Sequence, residues 1–128
     1  MPYAPYQGGT LLIPTGPDHH LFGIITPICE NGCHLIVNFS SVRQGAQFDP
    51  ACVVEAGEHD AIAHRSYAVY RMADIQCADR LGRMVDGWVY RRGEHDLSVA
   101  LLKRLQDGAR ATRHAPQRFK SYVMAVLG

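Results

Sequence analysis

Seven histidines in a chain of 128 residues are the first feature to account for: His19, His20, His34, His59, His64, His95 and His114. Imidazole is the side chain best suited to moving protons near neutral pH, and two imidazoles beside one phosphate can divide the acid and base roles. The densest group lies in Gly57-Glu58-His59-Asp60-Ala61-Ile62-Ala63-His64-Arg65-Ser66-Tyr67. That stretch also has a plain reading, because Asp and Ser form turns and His59 or His64 can act as a cap or a solvated side chain. A metal held by His59, His64 and Glu55 or Glu58 is another option, although the His-x4-His spacing lacks the helical HExxH pattern. Gly8-Gly9 is not a P-loop, and the chain contains neither G-x-G-x-x-G nor G-x-S-x-G.

The four cysteines are Cys29, Cys33, Cys52 and Cys77, and they read as reduced, structural thiols. Cys29 and Cys33 flank Glu30-Asn31-Gly32 and can face each other across a hairpin. Their C-x3-C spacing has no second close pair to complete a zinc site. Cys52 adjoins Val53 and Val54 and belongs to an apolar run.

Charge is distributed unevenly. Residues 91–128 hold eight cations against three acids, whereas residues 1–90 hold five against nine. A basic C-terminal third is compatible with a polyanionic partner, since Lys and Arg contacts to phosphate dominate nucleic-acid affinity. Solvated helix faces account for the same charges equally simply. Eleven of the thirteen cations are Arg, the residue that forks onto phosphate.

A short apolar run stopped by Pro14 places a strand at Gly9 to Ile13, and alternation of Phe22, Ile24 and Ile28 places one at His20 to Ile28. Asn31-Gly32 supplies the positive φ angles of a tight hairpin, and Leu35 to Phe39 returns as a strand buried on both faces. Ala51 to Glu55 reads as a fourth strand and Ser66 to Ile75 as a fifth with a bulge near Arg71. Gly82 to Tyr90, with the single tryptophan Trp88, reads as a sixth. The period then switches. Asp96 can cap a helix bearing Leu97, Leu101, Leu102 and Leu105 that stops at Gly108. Pro116 suits the first turn of a second helix with Phe119, Tyr122, Val123, Val126 and Leu127 as its stripe.

One domain over residues 1–128 is expected, mainly β, with a β-barrel at 8–90 and a helical part at 96–127. No apolar run approaches the roughly 20 residues that cross a bilayer. Met1 to Tyr6 lacks the basic and apolar regions of a signal peptide, so the expected location is cytoplasmic, with no membrane partner.

The order of elements resembles the PemK/MazF family of toxins over roughly residues 8–107. The resemblance rests on a short opening strand beginning Gly9-Thr10, a strand-hairpin-strand ending in Ser40-Ser41, the segment Ser66-Tyr67-Ala68-Val69, and Leu81-Gly82-Arg83-Met84. It implies an SH3-like barrel of about six strands with two helices after it, usually dimeric. It also implies cleavage of single-stranded RNA without a metal or other cofactor, and neutralisation by an antitoxin. In the family a catalytic arginine opens the second strand within an Arg-Pro-Ala-type motif, where this sequence has His20-Leu21-Phe22-Gly23. The family's Thr or Ser ending the third strand is matched by Ser40 and Ser41. On this resemblance His20 and His64 are the proton-transfer candidates, Ser40 or Ser41 positions the phosphate, and Arg43 stabilises developing charge. Tyr67, Arg65 and His59 are candidates for holding substrate, Tyr67 by stacking on a base. Tyr67 on a strand is equally a core or rim residue. The alternative functions are a non-catalytic barrel that binds protein or nucleic acid, and a metal-dependent hydrolase using the His59/His64 loop.

Overall fold

Three antiparallel strands carry the architecture: β1 (Thr10–Thr15), β2 (Asp18–Ile24) and β3 (Cys33–Ser41). The computed structural model describes residues 2–128. β1 and β2 pair from Thr10↔Gly23 to Thr15↔Asp18 around Gly16, whose φ of 73° suits a residue without a side chain. The link to β3 closes when the Gly32 amide donates to the Cys29 carbonyl at 2.9 Å and the Cys29 amide donates to the Cys33 carbonyl at 3.0 Å. Of the two turn residues only Gly32 takes a positive φ, at 75°. The turn is therefore the three-residue kind with one left-handed glycine, not the two-residue kind that Asn-Gly suggests.

β3 is the hub. Its first edge pairs with β2 from Phe22↔Asn38 to Ile24↔Ile36. Its other edge takes two short strands in succession, β5 (Ser66–Ala68) against Phe39 to Ser41 and β6 (Asp74–Cys77) against Cys33 to Ile36. The stretch expected as one bulged strand is thus broken by a 3₁₀ turn at Tyr70–Met72. β4 shrinks from the expected Ala51 to Glu55 to Val53–Val54 and pairs with β5, while β7 (Arg91–Arg92) pairs with β1. All seven strands are antiparallel neighbours in the order β4-β5-β3-β2-β1-β7, with β6 also on β3. No ladder joins β4 to β7 among the described residues, so the sheet is open where closure was expected.

Gly82 to Tyr90 is not a strand. Helix α1 (Ala78–Asp86) occupies its first half, because Leu81 and Val85 repeat at helical spacing and Asp79 lies in the favourable first turn. Gly82 lies inside that helix where a Cβ would meet the Tyr3 carbonyl at 2.8 Å, so glycine here permits close approach of the N-terminal segment. Trp88 ends the segment at a φ of 64°, 89% exposed and outside any core.

Helix α2 (Val99–Ala111) is capped by Ser98, whose Oγ accepts from the Leu101 amide at 3.1 Å, and not by Asp96. Asp96 instead accepts from the Tyr6 hydroxyl at 2.6 Å. Gly108 does not stop α2. It is buried mid-helix, where a Cβ would collide with the Tyr70 hydroxyl and lie 2.9 Å from the Ala51 carbonyl. Helix α3 (Gln117–Val126) follows Pro116, which takes the position before the first turn.

Two cores flank the sheet. On the inner face Leu21, Leu35, Val37 and Phe39 pack with Leu101 and Leu105 of α2 and Phe119 and Val123 of α3. On the outer face Leu11, Ile13, Phe22, Ile24 and Ile36 pack under Leu81 of α1 and Tyr90. Burying both faces of β1 to β3 explains their near-continuous apolar runs. Among the described residues no helix is long and apolar enough to cross a membrane.

Candidate functional site

Period-two alternation decides what the outer face shows beyond its core. Ile36 of β3 and Phe22 of β2 belong to the outer core, so Asn38, Ser40 and His20 follow them on the same face. Ser40 pairs with Tyr67, and Tyr67 pairs with Val53, which carries the row across three strands. Helix α1 covers the Ile36 half of this face and leaves the Ser40 half uncovered. Asn38 Oδ1 lies buried there without a hydrogen-bond partner.

A cleft of about 710 Å³ opens beside that row. Its walls are the loop from Ala46 to Pro50, the strand residues Tyr67 and Val69, the 3₁₀ turn at Tyr70 and Arg71, and His114 between α2 and α3. Phe48 and Tyr67 meet with ring centroids 5.2 Å apart and planes tilted by 37°. This pair forms a wide, half-exposed aromatic surface at the cleft, with Arg71 and His114 exposed on its rim.

Buried polar contacts hold these walls in place. Asp49 accepts from the Ala51 amide at 3.0 Å and from the Thr112 hydroxyl at 2.6 Å. Thr112 in turn accepts from the His114 amide at 3.1 Å, so one carboxylate ties the 46–50 loop to the corner that carries His114. Tyr70 donates to the Leu105 carbonyl at 2.7 Å and fixes the 3₁₀ turn on α2. Burial pushes the Tyr70 phenol far above its ordinary range, which keeps it a neutral donor.

Of the eight residues singled out in the sequence, only Tyr67 lines the cleft. Ser40 and Ser41 end β3 directly opposite Tyr67 and Ser66, and Arg43 follows in an exposed loop. The Arg65 carbonyl accepts from the Val42 amide at 2.8 Å, which sets His64, Arg65, Ser40, Ser41 and Arg43 at the same end of the sheet. The Arg65 side chain pairs with Glu55 at 3.2 Å on the surface. His20 stands two residues past the Phe22↔Asn38 pair that ends the β2–β3 ladder, hydrogen-bonded through Nδ1 to the Thr15 hydroxyl. Among the described residues no hydrogen bond joins any two of His20, Ser40, Ser41, Arg43 and His64.

His59 is 7% exposed, and both of its ring nitrogens are occupied. Nδ1 accepts from the Ala61 amide at 3.0 Å, so Nε2 carries the proton and donates to the His95 carbonyl at 2.8 Å. Nothing in that ring is free to ligate a metal, and no group of three His, Cys, Asp or Glu side chains is placed to hold one among the described residues. The sequence reading missed Phe48, Arg71 and His114, which come from three separate segments. Their only local signal is an aromatic and a histidine standing in loops and an arginine at an expected bulge. No protein-family model matches the chain, and no curated protein matches it either.

Proposed function

We propose that the chain is a toxin-like, metal-independent endoribonuclease that holds single-stranded RNA on the uncovered outer face, on a sheet related to the SH3-like barrel of the PemK/MazF type. The observation that carries this reading is the Phe48–Tyr67 aromatic surface in the 710 Å³ cleft, one strand from Ser40 and rimmed by Arg71 and His114. Unpaired bases stack on such surfaces, while arginines at the rim take the phosphates. Cleavage then requires the 2′-hydroxyl to attack the adjacent phosphorus with help from a base, an acid and a cation. His20, with Nδ1 engaged by Thr15, keeps Nε2 for proton transfer. His64 supplies the second imidazole, Ser40 or Ser41 positions the phosphate, and Arg43 or Arg65 stabilises the extra charge. The reading carries a cytoplasmic setting, an antitoxin partner and a homodimer with it.

The second reading, a non-catalytic module that binds through the same cleft, draws on the absence of hydrogen bonds among the proposed catalytic side chains. Incubation with mixed-sequence single-stranded RNA, with and without EDTA, separates the readings. The enzyme predicts cleavage that survives EDTA, leaves cyclic phosphate ends and disappears in His20→Ala and Ser40→Ala. Binding without cleavage in either condition selects the module, and cleavage abolished by EDTA contradicts the metal-free mechanism.

A further inference from the structure

Three of the four cysteines gather at the far end of β3 from Ser41. Cys33 opens β3 and Cys77 closes β6, and the two are direct partners in the antiparallel ladder. Their sulfurs lie 3.5 Å apart as free thiols. Residues directly opposite in such a ladder have Cα atoms about 4.5–5.5 Å apart, inside the range that a disulfide spans. Cys29 joins the cluster through its amide, which donates to the Cys33 carbonyl at 3.0 Å. It also lines an open slot of about 450 Å³ with Pro27, Ile28, Tyr122 and Val126. Cys52, by contrast, is buried in the inner core with no second cysteine beside it.

We infer that this cluster is a thiol–disulfide exchange site, in which Cys29 takes up a low-molecular-weight disulfide from the slot and Cys33 and Cys77 become the product disulfide. The Cys29 thiolate attacks one sulfur of the incoming disulfide, forming a mixed disulfide and releasing the first thiolate. Cys33 then attacks the Cys29 sulfur, loses its proton and expels the second thiolate. Cys77 finally attacks Cys33, which returns Cys29 to the thiolate. Overall Cys33 and Cys77 lose two electrons and two protons, and the small disulfide leaves as two thiols.

The local chemistry orders these roles. The Tyr122 hydroxyl, which lines the same slot, lowers the Cys29 pKa below the ordinary thiol value. Desolvation, followed by the contact with Cys77, pushes Cys33 up to about 11. Cys29 lines the slot, whereas Cys33 is set against Cys77 in the ladder, so Cys29 is the entry point and Cys33 the thiol that follows it. Tyr122 reaches the cluster from α3 and also donates to the Cys33 carbonyl at 3.2 Å.

The full chain, reduced and freed of reductant, is incubated with oxidised glutathione and followed by intact mass and peptide mapping. The expected product has lost two hydrogens, retains no glutathione, and carries a Cys33–Cys77 bond. Cys29→Ser reaches the same product at least about tenfold more slowly, because the favoured entry thiolate is gone. Cys77→Ser stops earlier, with glutathione on Cys29 or a Cys29–Cys33 bond. Wild-type protein that stays fully reduced, or that keeps glutathione as a stable adduct, overturns the proposal. A Cys29–Cys33 bond as the wild-type end product overturns the assignment of Cys77, and an undiminished rate in Cys29→Ser overturns the role of Cys29. Neither readout depends on RNA cleavage, so the two proposals fail separately.

Discussion

The inner and outer faces of β3 are built on opposite plans. Leu35, Val37 and Phe39 on the inner face are buried from end to end beneath α2 and α3. The outer face starts buried, with His34 and then Ile36 under α1, and opens at Asn38 and Ser40, where among the described residues no helix covers it. One strand thus supplies a continuous core on one side and a half-core followed by a platform on the other. A rigid, fully packed back face is what lets an uncovered front face hold side chains in fixed positions. The cleft depends on that back face directly, since Tyr70 and Gly108 connect its floor to α2.

The largest effects of substitution belong to the inner face. Leu105→Ala removes a fully buried side chain and costs about 2–5 kcal/mol in urea-induced unfolding, whereas Ser40→Ala on the platform stays within about 0.5 kcal/mol. Equal costs at the two positions would erase the distinction between the faces. A smaller, pH-dependent effect belongs to the edge where α2 meets the 55–58 loop. Arg104 reaches both the Glu58 carboxylate and the Val53 carbonyl, and its guanidinium holds the Glu58 pKa below the ordinary carboxylate value. A depressed pKa stabilises the fold above the unfolded-state value of about 4.3 and ceases to do so as pH falls through the folded-state value. Because the pair is partly exposed, Glu58→Gln is expected to cost no more than about 1 kcal/mol at pH 7. The gap between the two proteins should narrow in unfolding curves as pH falls below the unfolded-state value and through the lower folded-state one.

The inner plan was largely legible in the sequence, and the outer one was not. A short apolar run marked β1, alternation marked β2, the Asn31-Gly32 turn and a continuous apolar run marked β3, and leucines at helical spacing marked α2, because their environment is uniform along the element. The reading failed where one residue serves a distant neighbour. Gly108 looked like a helix stop, yet it is glycine because Tyr70 and Ala51 crowd it from elsewhere in the chain. Met84-Val85 and Trp88-Val89-Tyr90 looked like a strand because apolar and aromatic residues cluster there, although Leu81 and Val85 already had the spacing of a helix. Asp96 was the obvious cap until Tyr6, ninety residues away, claimed it. At the candidate site Tyr67 was found because it lies in a dense motif. Phe48 and His114 become its neighbours only through Asp49 and Thr112, a contact no local pattern announces. His59 was singled out for its company of charged residues, while its partners proved to be two backbone groups.

The central claim is that the aromatic pair on the uncovered face is a surface for unpaired bases. Titrating a fluorescent single-stranded RNA with wild-type protein and with Tyr67→Ala at one fixed salt concentration tests it most directly. Loss of one stacking platform should weaken binding by about 1–3 kcal/mol, roughly five- to 150-fold, with the unfolding midpoint little changed. Equal affinity for the two proteins, or no binding by wild-type protein, would contradict it.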